Sequence, residues 1–218
     1  VGAPPPMIHR RAPAKLNLYL RVLGRRADGY HEIETVFERI DLADALTLEA
    51  ASALVLTCDE PSLSCGEDNL VMQAARALQE HSGTPRGARI PLEKRIPISA
   101  GLGGGSSDAA ATLLGLNELW QLHRTPQQLS ELAARLGSDV PFFLCRAPFA
   151  VGRGRGEVCE PIQAGVRLSH VLVIPSERLS TKEVYAAEGF DPSTRSARSG
   201  SSRARPKAES RDSGRAQA

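Results

Sequence analysis

The stretch "PISAGLGGGSSDAAATLLGLNELW", Pro97 to Trp120, decides the reading of this chain. Four glycines stand among residues 101–105, two serines and an aspartate follow, and then an apolar run begins. Ala109, Leu113, Leu116 and Trp120 recur at helical spacing, so Ser106–Trp120 reads as a helix with one apolar stripe. A glycine loop that leads into a helix presents backbone N–H groups and the positive end of the helix dipole, both of which favour an anion. Glycine also lets that backbone approach a phosphate with no Cβ in the way. Two common loop designs do not fit. Walker A needs Lys-Ser/Thr at the helix start, where Ser106-Ser107-Asp108 stands, and GxGxxG fails at its last glycine, which is Ser106 here. The eukaryotic-type kinase signatures are absent as well. The loop is read as a phosphate cradle of another design.

Upstream, "APAKLNLYLRVL" alternates and predicts a half-buried strand. Ala14, Leu16, Leu18, Leu20 and Val22 are expected on one face, and Lys15, Asn17, Tyr19 and Arg21 on the other. "RRADGYH" is a turn on Asp28-Gly29, "HEIETVFERIDL" a second strand, and "DALTLEA" and "ALVLTC" two short ones. "EDNLVMQAARALQEHSG" predicts a helix capped by Asp68, with Leu70, Ala74, Ala77 and Leu78 apolar. "ARIPLEKRIP" is extended. Downstream, "TPQQLSELAARLG" predicts a helix with Thr125 as cap, Pro126 in the first turn and Gly137 closing it. "PFFLCRAPFAVGRGRGEVCEPI" reads as strands and turns, "HVLVIP" as a short buried strand, and "STKEVYAA" as the opening of a helix.

Length and composition bound the function. The 218 residues suffice for one large domain, or one domain and part of another, and 41% hydrophobic content supports a packed core. No apolar run reaches the roughly 20 residues of a membrane span, and the first residues lack the apolar core of a secretory signal. Val1 in place of Met suggests a non-standard start or a true start at Met7. Cys58, Cys65, Cys145 and Cys159 show no zinc-ligand spacing and read as free cytosolic thiols. The overall charge is +2, but residues 189–218 alone carry +4, leaving −2 on the body, so no basic nucleic-acid-binding face is expected there. The Ser/Arg-rich tail has one large apolar residue, Phe190, and is read as disordered, with weak, salt-sensitive association with nucleic acid at most.

Three motifs in order carry a family resemblance: "APAKLNLYLRVLGRRADGYHEIETVF" (Ala12–Phe37), "PISAGLGGGSSDAA" (Pro97–Ala110) and "LGSDVPFFL" (Leu136–Leu144). Together they resemble the GHMP small-molecule kinases, over about residues 11–187. Among these the match is nearest to the branch whose acceptor is a cytidyl-diphosphate methylerythritol of the non-mevalonate (MEP) isoprenoid route. The resemblance implies an α+β fold: an N-terminal ATP-binding and catalytic domain of the ribosomal protein S5 domain 2-like type over residues 8–160, then the start of a ferredoxin-like C-terminal domain over 161–188, then the tail at 189–218. It implies ATP and Mg²⁺ as cofactors, phosphorylation of the acceptor's 2-hydroxyl, a bacterial-type cytoplasmic enzyme, and a monomer or weak homodimer with no membrane partner.

The same resemblance assigns residues. Asp139 is the general base and Lys15 lies beside it, orienting the hydroxyl. Asn17 reaches the same pocket. Tyr30 and His31 grip the cytosine by stacking and hydrogen bonding, and Tyr185 closes the sandwich. Pro97, Ile98, Ser99, Ala100, Gly101, Leu102, Gly103, Gly104, Gly105, Ser106 and Ser107 hold the ATP phosphates, a serine hydroxyl touching the Mg²⁺–phosphate group. Lys94, Asp68 and Asn69 lie around the adenine. Homoserine and phosphomevalonate kinases share the glycine loop, but their acceptors offer no cytosine to "ADGYH". The family's third glycine-rich motif is missing after Tyr185, so the tail reads as coding sequence out of frame. A nucleotide-binding remnant without turnover is therefore the alternative expectation.

Overall fold

The computed structural model describes residues 6–145 and 147–174. The chain runs β1 (Met7–Arg25), β2 (His31–Ala51), β3 (Leu54–Cys58), α1 (Leu70–Ser82), β4 (Gly87–Glu93), α2 (Gly104–Leu119), α3 (Pro126–Leu136), α4 (Val140–Leu144), β5 (Phe149–Gly154) and β6 (Val158–Ile162). Strand β2 is the spine of a six-stranded sheet ordered β3-β4-β2-β5-β6, with β1 also paired to β2. The C-terminal half of β2 pairs with β4, its N-terminal half with β5, and β1 lies along most of its length. All pairings are antiparallel except β3–β4, which the intervening α1 makes parallel.

The helices form the second layer. Helix α2 touches β1, β2, α1, α3 and α4, so it is buried on nearly all sides. The expected stripe of Ala109, Leu113, Leu116 and Trp120 lies in the core, and burial extends round to Ala110, Ala111 and Leu119. Gly115 permits this seating: a Cβ there would stand 2.6 Å from Leu48 Cδ1. Thr125 and Gln128 form a reciprocal capping box at α3, with Pro126 in its first turn.

Five local expectations are corrected. "HEIETVFERIDL" and "DALTLEA" are one 21-residue strand, because β4 and β5 pair with successive halves of it. The alternation on β1 breaks at a one-residue bulge, Leu18, between the pairs Asn17↔Phe37 and Tyr19↔Val36. Leu18, Tyr19 and Leu20 are all exposed there, while Lys15, beside a further register shift between Pro13 and Lys15, is buried next to Ala14. "PFFL" is helical, seated on the core by Phe142 and Phe143. Asn69, not Asp68, caps α1, its side chain accepting from Val71 N at 2.9 Å. The "HVLVIP" run forms no strand over its described residues: Val171 and Val173 are 92% and 85% exposed. A short apolar run becomes a buried strand only where a neighbour completes its ladder. The helix expected in "STKEVYAA", Tyr185, the rest of the C-terminal segment and the tail lie outside the described residues.

Candidate active site

The glycine loop begins where β4 ends. Ser99, Gly101 and Gly103 all have positive φ (60°, 72° and 70°), which curls the chain so that Gly103 becomes the N-cap of α2. No side chain caps this helix, so its first N–H groups remain available. Residues Pro97 through Ser106, with Lys94, Asp108, Leu63 and Leu70, line a cavity of about 250 Å³. Ser107 lies behind it, 1% exposed, with no hydrogen-bond partner for its hydroxyl among the described residues. Asp68 and Asn69 do not line the cavity. Asp68 accepts from Ser64 Oγ at 2.6 Å, and Asn69 serves as the cap of α1.

Lys94 is held below the loop. Its ammonium pairs with Asp44 and, at 2.8 Å, with Asp108, both carboxylates being almost fully buried. Asp44 also accepts the backbone N–H groups of Arg95 (2.6 Å) and Ile96 (2.8 Å), which ties the entry of the loop to β2. Burial pushes the Asp108 carboxyl up to about 7 against the opposing pull of Lys94. Burial works against the Lys94 charge, yet the two carboxylates raise its pKa. Sequence reasoning missed both aspartates. The signal for Asp44 was a charged residue inside "DLADALTL", a stretch otherwise patterned for burial.

A second group of side chains meets the loop at Lys15. The Lys15 N–H donates to Leu102 O at 2.9 Å, and a Cβ on Gly103 would stand 3.0 Å from both Lys15 Cγ and Phe143 Cζ. Lys15 Nζ lies 3.3 Å from Asp139 Oδ2 and also bonds Asn17 Oδ1. Asn17 in turn donates to Thr35 Oγ1 at 2.8 Å, whose hydroxyl donates to Tyr19 O at 2.7 Å. The Lys15 ammonium is 5.5 Å from the centroid of Phe37. Asp139 stands at the N-cap position of α4 but makes no capping hydrogen bond, which leaves its carboxylate to Lys15. Its side chain is 31% exposed, against 8% for Lys15. A carboxylate about a third exposed and held by a buried ammonium is an arrangement that can receive a proton from a bound hydroxyl.

Tyr30 sits at the β1–β2 turn, 53% exposed, its N–H bonded to Asp28 Oδ1 at 3.1 Å. The Arg155 guanidinium lies 4.7 Å from its ring centroid, a contact with no local sequence signal. His31 opens β2 opposite Arg25. The next residue along from Arg155, Gly156, faces Asp139: a Cβ there would be 3.8 Å from Oδ1. The β5–β6 turn thus runs from Tyr30 to the Lys15–Asp139 pair. The structure therefore brings together Lys15, Asn17, Asp139 and the glycine loop, sets Tyr30 and His31 at the far end of the same edge, and leaves Asp68 and Asn69 outside.

Comparison with known proteins agrees with this layout. Residues 69–147 match the model of the GHMP kinases N terminal domain. The chain is 50% identical over 179 residues to the 4-diphosphocytidyl-2-C-methyl-D-erythritol kinase of Salinibacter ruber, covering 80% of this chain and 63% of that one. A crystal structure of 4-(cytidine 5'-diphospho)-2C-methyl-D-erythritol kinase is 45% identical, with TM-score 0.62, over 74% of this chain and 61% of that one. The mevalonate kinase of Methanococcus jannaschii shares the fold at 15% identity, with TM-score 0.55, over 73% of this chain and 56% of that one. The chain spans less than two thirds of the length of the curated relatives it matches. Among the described residues no helix is long and apolar enough to cross a membrane. The match to the GHMP kinases N terminal domain thus spans α1, β4, α2, α3 and α4, together with the glycine loop and Asp139.

Proposed function

We propose that this chain holds the ATP-binding and catalytic part of a kinase that phosphorylates the 2-hydroxyl of 4-diphosphocytidyl-2-C-methyl-D-erythritol, a step of non-mevalonate isoprenoid synthesis. The observation that carries the reading is the Lys15–Asp139 pair at 3.3 Å, fastened to the glycine loop through Lys15 N and Leu102 O. Resemblance to relatives of that activity, at 50% and 44% identity, supports the choice of substrate. The domain limits proposed are 8–160 for this part, 161–188 for the start of a ferredoxin-like domain and 189–218 for the tail. A cytoplasmic monomer or weak homodimer completes the reading.

In this mechanism the ATP phosphates lie along residues 97–107, held by loop amides and the start of α2. The acceptor hydroxyl lies against Asp139, and Lys15 fixes both. Asp139 takes the hydroxyl proton as that oxygen bonds to the γ-phosphorus, and the bond from the γ-phosphorus to the β,γ-bridging oxygen breaks to release ADP. Tyr30 offers a ring face to the cytosine and His31 a polar edge. Lys94, engaged by two carboxylates, shapes the nucleotide cavity more than it contacts ligand charge. The hydroxyls of Ser106 and Ser107 suit a hard cation, since Ser107 Oγ is a buried oxygen without a partner among the described residues. Bound Mg²⁺ would screen the phosphate charge there.

The test is transfer of phosphate from ATP to the cytidyl acceptor. It is measured for this chain and for a chimaera completed with the C-terminal part of the Salinibacter ruber relative. Transfer that is lost on Asp139→Asn is expected from the chimaera. A folded chimaera that binds both ligands and transfers nothing would overturn the proposal.

A further inference from the structure

The mechanism uses Asp139, yet α4, the element that carries it, is only five residues long. So short a helix has too few internal hydrogen bonds to hold itself. Its N-terminal end has no side-chain cap, because the Asp139 carboxylate is turned to Lys15. The fixing point is at the other end. Arg39 Nη2 donates to the carbonyls of Phe142 and Phe143, each at 3.3 Å, and to that of Cys145. Phe142 O also accepts the Cys145 N–H at 3.2 Å, whereas the carbonyls of Phe143 and Cys145 lie at the end of the helix, where acceptors lack partners within it and a cation is favoured. The same guanidinium lies 5.6 Å from the centroid of Phe142, a fully buried ring that packs on Phe37 at 4.8 Å.

Arg39 is also the residue directly opposite Lys15 in the β1–β2 register. Opposed residues of an antiparallel pair share a face. One rung of the sheet therefore presents both the ammonium that meets Asp139 and the guanidinium that grips the far end of Asp139's helix. Burial pushes the Arg39 pKa down, and its Nε has no hydrogen-bond partner among the described residues. The charge is therefore held at a cost, and lysine would be a poor replacement, since an ammonium is more strongly hydrated and has no planar face to lay beside the Phe142 ring.

We infer that Arg39 is a positioning residue: it fixes α4 to the Lys15 rung and so sets the Lys15–Asp139 contact. The inference rests on the proposed role of that pair, but its test needs no turnover. A double-mutant cycle with Lys15→Met and Asp139→Asn, followed by urea unfolding of the full chain, measures how strongly the two side chains couple. With Arg39 present, the coupling should change the unfolding constant by a factor of about five or more. In an Arg39→Met background the coupling should vanish, and in Arg39→Lys, the milder variant for use if methionine does not fold, it should fall to less than twofold. A residue that merely stabilised the core would lower all four unfolding constants together and leave the coupling intact. Coupling retained in a folded Arg39 variant overturns the inference. Loss of coupling together with an inactive chimaera would leave Arg39's role standing while the kinase reading fails.

Discussion

The two halves of the candidate site are built in different ways. The nucleotide side is one continuous stretch, residues 97–107, and offers mainly backbone: positive-φ turns, free amides and a helix start. The acceptor side is assembled from side chains on β1, the β1–β2 turn, β2, α4 and the β5–β6 turn, drawn from residues 15 to 156. A backbone site depends on local conformation, and a side-chain site depends on register. Substitutions should therefore act differently on the two sides.

The largest effect is expected at the one residue whose chemistry cannot be supplied by backbone. Asp139→Asn in the completed chimaera should lower kcat about 10²–10⁴-fold with KM for both substrates little changed, as for loss of a general base. A kcat within a few fold of the parent would mean that the acceptor side merely positions, as the nucleotide side does. Next, Tyr30→Ala should weaken the acceptor by about 1–3 kcal/mol, the usual worth of base–aromatic stacking, and leave ATP affinity alone. Titration of each ligand separately decides this; a loss confined to ATP would reverse the two halves.

How much of this could be read from the sequence follows the same division. The glycine loop, its helix and the capping box of α3 are local, and Gly101–Gly105, Thr125 and Gln128 announce them. Lys15 and Asp139 became legible only through the resemblance, because residues 124 positions apart have no local pattern in common. Even with them known, the bulge at Leu18 and the exposure of both Tyr19 and Leu20 had no local signal, since a bulge depends on the partner strand. Asp44 and Asp108 were passed over because burial and pairing with Lys94, not position in a motif, give them their role.

The buried aspartates sharpen the comparison from the nucleotide side. The Asp108 carboxyl rises from 3.8 to about 7, with burial as the main cause, so the native state binds more protons than the unfolded chain between those values. Stability should accordingly be highest at or below about pH 4 as far as this group is concerned, and should be lost as pH rises toward 7. Asp108→Asn removes the titration. The stability of the wild-type chain relative to that variant should fall by roughly 3 kcal/mol from pH 5 to pH 8 in urea unfolding without ligand. A constant or opposite difference would show Asp108 ionised throughout and the cavity floor as anionic as two free carboxylates would make it.

The smallest expected effect tests the premise that backbone is what holds the nucleotide. Gly103 is a poor place to ask, since a side chain there meets positive φ and would also press on Lys15 and Phe143. Both halves would be damaged at once. Gly105 separates them. It lies in the first turn of α2, is exposed to the cavity, and a Cβ would make only an ordinary contact with Leu70 Cδ1 at 3.4 Å. Alanine is a better helix former than glycine by about 1 kcal/mol, so the folded state should be as stable as before or more so. The added methyl would nevertheless stand between the loop amides and a phosphate, where close approach matters most. Nucleotide affinity of Gly105→Ala should drop about tenfold, equal to about 1.4 kcal/mol. The thermal midpoint should hold or rise and acceptor affinity should not move. Unchanged nucleotide binding in the folded variant would place the phosphates away from the start of α2, and the division between a backbone side and a side-chain side would then have no basis.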